Sequence, residues 1–196
     1  HKSLKDLNTD YVDVLLLHWP DKSGDNSLSL DLLQQTHDKG LAKFIGVSNY
    51  NIAMLTEAIS KLTVKPITNQ IEFHPLIDQS KILNFAKSNN IDLSAYCSIA
   101  RGKILEISTL NNIAIKHNIS IAQVAQHWAY RKGVIVNSMS TNLNNINDNF
   151  NILNFELSSE EMEQISNLNS ENYRIVTKEI MNDKDPPMGA CVPVWD

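Results

Sequence analysis

The chain has 196 residues, of which 42% are hydrophobic, and its formal net charge is −5 at pH 7. This length suits one buried core rather than two domains, and the interspersed charges form no basic block, which argues against a nucleic-acid partner. No apolar run approaches the roughly 20 residues of a membrane span, and we recognise no signal peptide. The two cysteines are too few for a disulfide framework. We therefore predict a cytoplasmic protein without a membrane partner.

The first predicted strand is an apolar run that stops on polar and aromatic residues. Residues 11–20 read YVDVLLLHWP, so the leucines lead directly into His18 and Trp19. Four later runs stop in the same way, FIGV before Ser48 and Asn49, PIT before Asn69 and Gln70, IDLSA before Tyr96, and VIV before residues 137–140. Strands that alternate with helices predict parallel βα units, and in a barrel of such units the chemistry lies at the C-terminal ends of the strands.

Amphipathic stretches of helical length separate these strands. In chain order, we predict helices over residues 28–39, 51–62, 78–88, 104–117, 120–133 and 143–150, and another that opens over 158–163. Asn51 and Ser120 are suited to cap helix N-termini, and Gly40 to end the first of these helices. From residue 172 onward the pattern breaks into a proline-containing tail, 172–196, in which we predict no strand.

The five predicted strands are fewer than the eight of a closed (β/α)₈ barrel. Either the chain forms an open sheet, or three βα units precede it. The strand-end residues favour the second alternative, so we predict a TIM barrel. Residues 1–196 would then form a single barrel domain that lacks the N-terminal strands, with about the last five strands and the tail. Because the chain starts at His1 within the end of a helix pattern, we expect the protein to begin well upstream.

The strand-end motifs resemble those of the aldo-keto reductases. They are LHWP at 17–20, IGVSNY at 45–50, NQIEFHP at 69–75, the segment of Tyr96, and INDNF at 146–150. The resemblance implies a barrel that reduces aldehyde and ketone carbonyls to alcohols by hydride transfer from NADP(H), with NAD(H) as the alternative. Its partner would be a small carbonyl substrate, and the full-length protein would be a monomer. The final PVWD and the pair Gly102-Lys103 resemble the bacterial branch that reduces diketogluconate and methylglyoxal.

The resemblance assigns His18 to catalysis and Trp19 to the substrate pocket. A neutral imidazole can hydrogen-bond a carbonyl and orient it for hydride attack. The alternative for His18 is a packed core histidine held by one hydrogen bond, and for Trp19 it is ordinary core packing.

Four further residues match the nicotinamide end of the family's cofactor site. Ser48, Asn49 and Gln70 supply the donors and acceptors that a carboxamide needs, and Tyr96 matches a ring that stacks on the nicotinamide. The alternative for Ser48 and Asn49 is an ordinary helix N-cap, and for Tyr96 it is a core tyrosine.

The segment after the last strand departs from the family pattern. The family's lysine and arginine, which bind the 2′-phosphate of NADPH, fall on Met139 and Asn145, so both cations are absent. We therefore expect a weaker hold on NADPH, or tolerance of NAD. The remaining cofactor-binding candidates share hydrogen-bonding side chains and are Ser140, Thr141, Asp148 and Asn149.

Other polar residues have less certain roles in the sequence. We expect His74 to hold its loop rather than to take part in chemistry, and Cys97 to be a small apolar filler. Arg101 and Lys103 are suited either to approach a pyrophosphate or to remain solvated. No metal-ligand spacing is present, and the absence of a Gly-x-Gly-x-x-Gly motif argues against a classical dinucleotide fold.

The sequence lacks a match to the family's proton donor. No segment matches the family's general-acid tyrosine or the aspartate and lysine that tune its pKa, so we expect this chain to be inactive by itself. Two other functions stay open, a non-catalytic cofactor-binding regulatory subunit and an inactive truncated remnant. The carbonyl substrate cannot be deduced from these residues.

Overall fold

Helices and strands alternate along the chain in the computed structural model, which describes residues 2–177. The strands are β1 (Val12–Leu17), β2 (Ala42–Ser48), β3 (Thr68–Glu72), β4 (Asp92–Tyr96) and β5 (Val134–Val136). The α-helices are α1 (Lys2–Asp6), α2 (Ser27–Asp38), α3 (Ile52–Lys61), α4 (Ser80–Ser88), α5 (Ser108–His117), α6 (Ile121–Arg131), α7 (Leu143–Phe150) and α8 (Ser159–Ser166). Two 3₁₀ helices span Ala100–Glu106 and Asn167–Glu171. Within residues 2–177 no helix is long and apolar enough to cross a membrane.

The strands follow chain order in the sheet, β1-β2-β3-β4-β5. Every pairing that has a defined register is parallel. The described chain divides into two compact units. The first unit runs to Gln70 and includes Asn84–Asp92, and the second comprises Ile71–Leu83 and Leu93–Ile175.

In the first unit, β2 lies between β1 and β3. Leu17 of β1 is opposite Val47 of β2, and Ser48 is opposite Gln70 of β3. Helices α2 and α3 pack their apolar positions into a core with β2, because leucines and alanines recur there at helical spacing. Its most buried side chains are Leu30, Leu33, Ala42, Ile45, Val47, Leu55 and Ala58.

In the second unit, β4 pairs with β5, and α6 is largely buried in the core. Every residue of α6 from Gln123 to Ala129 is buried. The Phe73 ring stacks on Trp128, with 5.4 Å between the ring centroids. Trp128 also donates its indole N–H to Ser166 Oγ at 3.0 Å, which ties α6 to the end of α8.

Most of the predicted caps are confirmed. Asn51 accepts a hydrogen bond from the main-chain N–H of Met54, and Ser120 forms a capping box with Gln123. Gly40 has a φ of +69° just beyond α2, a conformation that glycine adopts without strain. Ser158 caps α8 through a second capping box, so the helix predicted to open there is also correct.

Two predicted elements are wrong in their bounds. The single helix predicted over 104–117 is a 3₁₀ helix followed by α5, with Ile107 extended between them, and positive φ values at Arg101 and Gly102 interrupt the 3₁₀ segment. The third strand was expected to stop at Asn69, but β3 runs from Thr68 to Glu72. Asn69 is completely buried inside β3, because its amide pairs with the main chain of residue 50 and needs no solvent. The predicted tail lies outside the described residues from 178 onward.

Candidate active site

Three predicted site residues lie side by side on neighbouring strands of the first unit, two at the C-terminal ends of β1 and β2 and one within β3. His18 follows the last residue of β1, Ser48 ends β2, and Gln70 is opposite Ser48 in β3. The row forms because Leu17 is opposite Val47, so the next residues along the two strands are neighbours. The predicted convergence is therefore present for the part of the site that the first unit contains.

Asn49 joins the three strand ends by hydrogen bonds. Its Nδ2 donates to the main-chain oxygen of His18 and to Ser48 Oγ, both at 3.1 Å. The Asn49 main-chain N–H donates to the Gln70 main-chain oxygen at 2.9 Å, and Ser48 Oγ donates to the same oxygen at 2.8 Å. The N-cap alternative for Ser48 and Asn49 is wrong, because Asn51 caps α3.

The Asn49 backbone explains how one residue makes these contacts. Its φ is +62°, in the left-handed region that asparagine tolerates better than most residues. Asn49 and Ser48 are each only 2% exposed. Both side chains therefore serve first to organise the ends of the strands, whatever else they bind.

His18 differs from these two residues because its side chain is exposed. Its ring stacks on the half-buried Trp19, with 6.0 Å between the ring centroids. The alternative that His18 is a packed core histidine is therefore wrong. The imidazole is open to a ligand, while Asn49 holds the main chain beneath it.

The second unit contains a cavity of about 640 Å³ beside the end of β4. A cavity of this size can hold a cofactor-sized molecule. Its lining comes from three segments, the loop after β4, the start of α6, and the stretch from the end of β5 into α7. The predicted cofactor-binding residues that line it are Tyr96, Ser140, Asp148 and Asn149. Thr141 is exposed and is not among the lining residues, so its contact with a cofactor stays a prediction.

Tyr96 borders this cavity at the end of β4. Burial raises the pKa of its hydroxyl, the negative charge of Glu72 adds to the rise, and the positive charge of Arg174 opposes it. The hydroxyl also hydrogen-bonds the main chain of Glu72. The phenol is thus protonated at neutral pH, and it presents a ring rather than an acid–base group.

Arg101 and Lys103 have different surroundings. Arg101 lines the cavity, whereas Lys103 forms an ion pair with Glu106 at 2.6 Å and is not a lining residue. Cys97 is half-buried and lines the cavity, so it does not fill a closed core. Burial raises the pKa of its thiol, and a hydrogen bond from Arg101 opposes that rise. Arg101 is therefore the lining cation that an anionic ligand would meet.

The cavity has an unusual acceptor that the sequence interpretation missed. Gln126 is a lining residue of α6 and is 2% exposed. Its Nε2 donates to Asn149 Oδ1 at 2.9 Å, while its buried Oε1 has no hydrogen-bond partner within the described residues. A ligand that carries an amino group, as adenine does, would satisfy this atom. A polar residue within the buried face of a helix was the available signal.

Met139 and Asn145 are also lining residues. The Met139 side chain is 92% exposed, so the position that the family fills with a cation is open to solvent here. The cavity can donate hydrogen bonds to a phosphate or ribose, but the charge of its lining at this end comes from Asp148 alone.

A buried, hydrogen-bonded pair of a glutamate and a histidine in the second unit was also missed as a cluster. Glu72 and His74 are both 0% exposed, and His74 Nε2 lies 2.9 Å from Glu72 Oε1. The main-chain N–H of Ile175 donates to the same carboxylate oxygen at 2.7 Å. His74 thus has the structural surroundings that the sequence led us to expect. The glutamate at the end of β3, between the apolar residues Ile71 and Phe73, was the signal that could have identified the pair.

Comparison with known proteins gives a consistent result. The family model described as "Aldo/keto reductase family" matches residues 1–170. The chain is 38% identical over 172 residues to a protein named glyoxal reductase of Bacillus subtilis (strain 168), which covers 87% of the chain and 61% of that protein. It is 35% identical over 198 residues to methylglyoxal reductase DkgB of Escherichia coli O157:H7, with 100% and 70% coverage.

A solved structure described as a putative 2,5-diketo-D-gluconic acid reductase B has a TM-score of 0.89 and 35% identity, and the match covers 100% of this chain and 66% of that one. The predicted fold class is thereby confirmed, as is the resemblance to this bacterial branch. The chain spans 61% of the length of the Bacillus relative. That it supplies five of eight barrel strands stays a prediction.

Proposed function

The chain belongs to the aldo/keto reductase family, and on that premise we propose that it serves the reduction of aldehyde and ketone carbonyls to alcohols with a nicotinamide cofactor. The observation that carries this proposal is the row of His18, Ser48 and Gln70 across three parallel strands, at the C-terminal ends of β1 and β2, where barrel enzymes have their active sites. The names of the relatives point to small dicarbonyl compounds as substrates.

Each residue receives a role that its surroundings permit. When bound, the reduced nicotinamide would supply the hydride. The exposed imidazole of His18 would hydrogen-bond the carbonyl oxygen of the substrate and orient it, and Trp19 would border the substrate. Ser48, Asn49 and Gln70 would hold the carboxamide, and Tyr96 would face the nicotinamide ring. We assign no proton donor among residues 2–177.

Substitution of His18 tests the proposed activity. In the native full-length protein, His18→Ala should lower kcat/KM for methylglyoxal by roughly 10²- to 10⁴-fold, because an orienting hydrogen bond acts in the transition state. The cofactor Kd, measured by fluorescence titration, should change little. His37→Ala is the matched control, since His37 lies in the last turn of α2 and pairs with Asp38. An unchanged kcat/KM for His18→Ala would make this histidine structural, and cofactor binding without turnover in the wild type would favour the regulatory-subunit alternative.

We further propose that the cavity of the second unit holds the nucleotide part of the cofactor, and that NADP(H) binds there more weakly than its family suggests. The unpartnered Gln126 Oε1 and the lining cation Arg101 fit an adenine nucleotide. The 2′-phosphate would find hydrogen bonds without a lysine at Met139 or an arginine at Asn145. NAD(H) would then be tolerated.

Adding the missing charge tests the preference for the cofactor. Met139→Lys should lower the Kd for NADPH by about 10-fold and leave that for NADH unchanged, because a charge-assisted hydrogen bond to a phosphate contributes on the order of 1.5 kcal/mol. Asn144→Lys adds the same charge at an exposed neighbouring position outside the cavity lining and should change neither constant. Equal effects of the two lysines on both cofactors would contradict the assignment.

A further inference from the structure

The buried carboxylate of Glu72 has no role in the chemistry described so far. It ends β3, is 0% exposed and belongs to the second unit. Taking a carboxylate out of water costs several kcal/mol unless hydrogen bonds compensate. A glutamate at this position therefore needs an explanation from its contacts.

The contacts of Glu72 and His74 fix the protonation pattern of the pair. His74 Nδ1 accepts a hydrogen bond from the main-chain N–H of Leu76 at 3.3 Å, so the ring proton lies on Nε2. Nε2 donates that proton to Glu72 Oε1 at 2.9 Å. The glutamate thus holds the histidine in one tautomer, and the histidine holds the loop after β3.

The same carboxylate fixes a distant segment of the chain. Glu72 Oε1 accepts the main-chain N–H of Ile175 at 2.7 Å. Beside this contact, Tyr173 donates its main-chain N–H to the Leu76 oxygen at 2.8 Å, and Asn172 Oδ1 accepts the N–H of Asp78 at 3.0 Å. Residues 172–175 are thereby fastened to the loop after β3, and Arg174 is carried with them.

Tyr96 meets this cluster from the neighbouring strand. Its main-chain oxygen accepts the N–H of Phe73 at 3.3 Å, and its hydroxyl hydrogen-bonds the main chain of Glu72. Three charged or titratable groups act on the pKa of this hydroxyl. The Glu72 carboxylate of β3 and the neighbouring residue Cys97 raise it, and the Arg174 guanidinium of residues 172–175 lowers it. Both ends of the tyrosine are consequently held by residues that Glu72 organises.

We propose that Glu72 is a positioning residue that, together with His74 and Ile175, sets the placement of the Tyr96 ring at the border of the cofactor cavity. This inference rests on the proposed function, because it assigns the ring a cofactor to receive. Loss of the carboxylate loosens the main chain at residues 72 and 175. The Glu72 main chain then holds the Tyr96 hydroxyl less firmly, and the ring no longer meets the nicotinamide in one orientation.

Glu72→Gln in the native full-length protein is the direct test. Glutamine keeps the size and one acceptor oxygen but removes the charge, so the hydrogen bonds from His74 and Ile175 to Oε1 lose their charge-assisted strength. The variant should raise the Kd for NADH by about 3- to 10-fold, which corresponds to the contribution of a well-oriented aromatic contact. Glu72→Gln should also shift the ¹³Cζ resonance of Tyr96 in protein labelled at tyrosine, with or without NADH.

Glu161→Gln is the matched control. Glu161 is 4% exposed, and its Oε1 lies 2.9 Å from the Nε2 of His117, the same geometry as in the Glu72–His74 pair. It does not line the cofactor cavity. Glu161→Gln should therefore lower the melting temperature while leaving both the Kd for NADH and the Tyr96 resonance unchanged.

Tyr96→Phe separates positioning from general stability. It removes the hydroxyl and keeps the ring, so it should reproduce the rise in the Kd for NADH. The double variant with Glu72→Gln should raise that Kd by less than about 2-fold more, because the two residues act through one contact. Additive effects, or a Tyr96 resonance that Glu72→Gln leaves in place, would overturn the inference. If the wild type binds neither NADH nor NADPH, the proposed function fails, and the Tyr96 resonance still decides whether Glu72 positions the ring.

Discussion

Replacing Asn49 should separate backbone strain from hydrogen bonding at the strand ends. At a φ of +62°, alanine costs about 1–2 kcal/mol that asparagine largely avoids. The substitution also removes two side-chain hydrogen bonds, to the His18 main-chain oxygen and to Ser48 Oγ, at about 1 kcal/mol each. We therefore expect Asn49→Ala to lower the free energy of unfolding by about 3 kcal/mol.

Asn49→Gly provides the comparison, because glycine adopts positive φ without strain and lacks the same amide. It should lower the free energy of unfolding by only about 2 kcal/mol, because it loses the two hydrogen bonds without adding strain. Urea denaturation of the native full-length protein at constant m-value measures both changes. Asn144→Ala, at an exposed position of α7, should stay within about 0.5 kcal/mol of the wild type. Equal losses for Asn49→Ala and Asn49→Gly would refute the strain argument, and no loss in either would refute the hydrogen-bond argument.

Three further predictions concern stability. Gly46→Ala would place a Cβ 2.8 Å from the Thr68 main-chain oxygen, so urea denaturation should show a loss of about 2–3 kcal/mol, whereas wild-type stability would mean that β2 shifts freely. Burial tends to raise the pKa of Glu161, but hydrogen bonds, led by that from Lys116, lower it to about 2. The ionised carboxylate contributes about 1–3 kcal/mol to the free energy of unfolding above the ordinary carboxyl pKa, and this is lost as pH falls towards 2. Glu161→Gln should therefore flatten the dependence of stability on pH in this acid range. An unaltered acid profile would contradict the ion pair with Lys116. In the described sheet β1 pairs with β2 alone and β5 with β4 alone, so each has an unpaired edge. Because exposed edges pair with other chains, residues 1–196 expressed alone should aggregate and reduce no aldehyde. A soluble, cooperatively melting and active monomer would refute this expectation.

The order of strands and most helix starts could be predicted because they depend on local signals. An apolar run that ends on a polar pair marks a buried parallel strand, and Asn51, Ser120 and Ser158 each mark a helix N-terminus by satisfying free N–H groups. The helix predicted across Ile107 failed because apolar spacing continues through a break that the backbone makes. A hydrophobic pattern does not report the extended backbone of Ile107, which separates the 3₁₀ helix from α5.

The candidate site was predictable in its residue types but not in its hydrogen bonds. Ser48 and Asn49 look in sequence like groups that wait for a ligand, yet their side chains bind Gln70 and His18 main-chain oxygens. Gln126 and Glu72 were missed because polar residues surround both in the sequence, and nothing there shows that these two are buried. Such residues need partners from distant segments, and sequence spacing does not reveal those partners.

Exposure separates the residues that can act on a ligand from those that act through another residue. His18 is exposed and its main-chain oxygen is held by Asn49, which is buried. Tyr96 borders the cavity, and its hydroxyl is held by the buried residue Glu72. In each unit a buried residue thus holds a residue that is open to solvent or to a cavity. The Asn49 side chain holds the main chain of His18, and the Glu72 main chain holds the hydroxyl of Tyr96. Such a buried residue loses no hydrogen bond when a ligand binds. It can therefore keep the exposed group in one orientation before and after binding, and hydride transfer requires such fixed orientations of the surrounding groups.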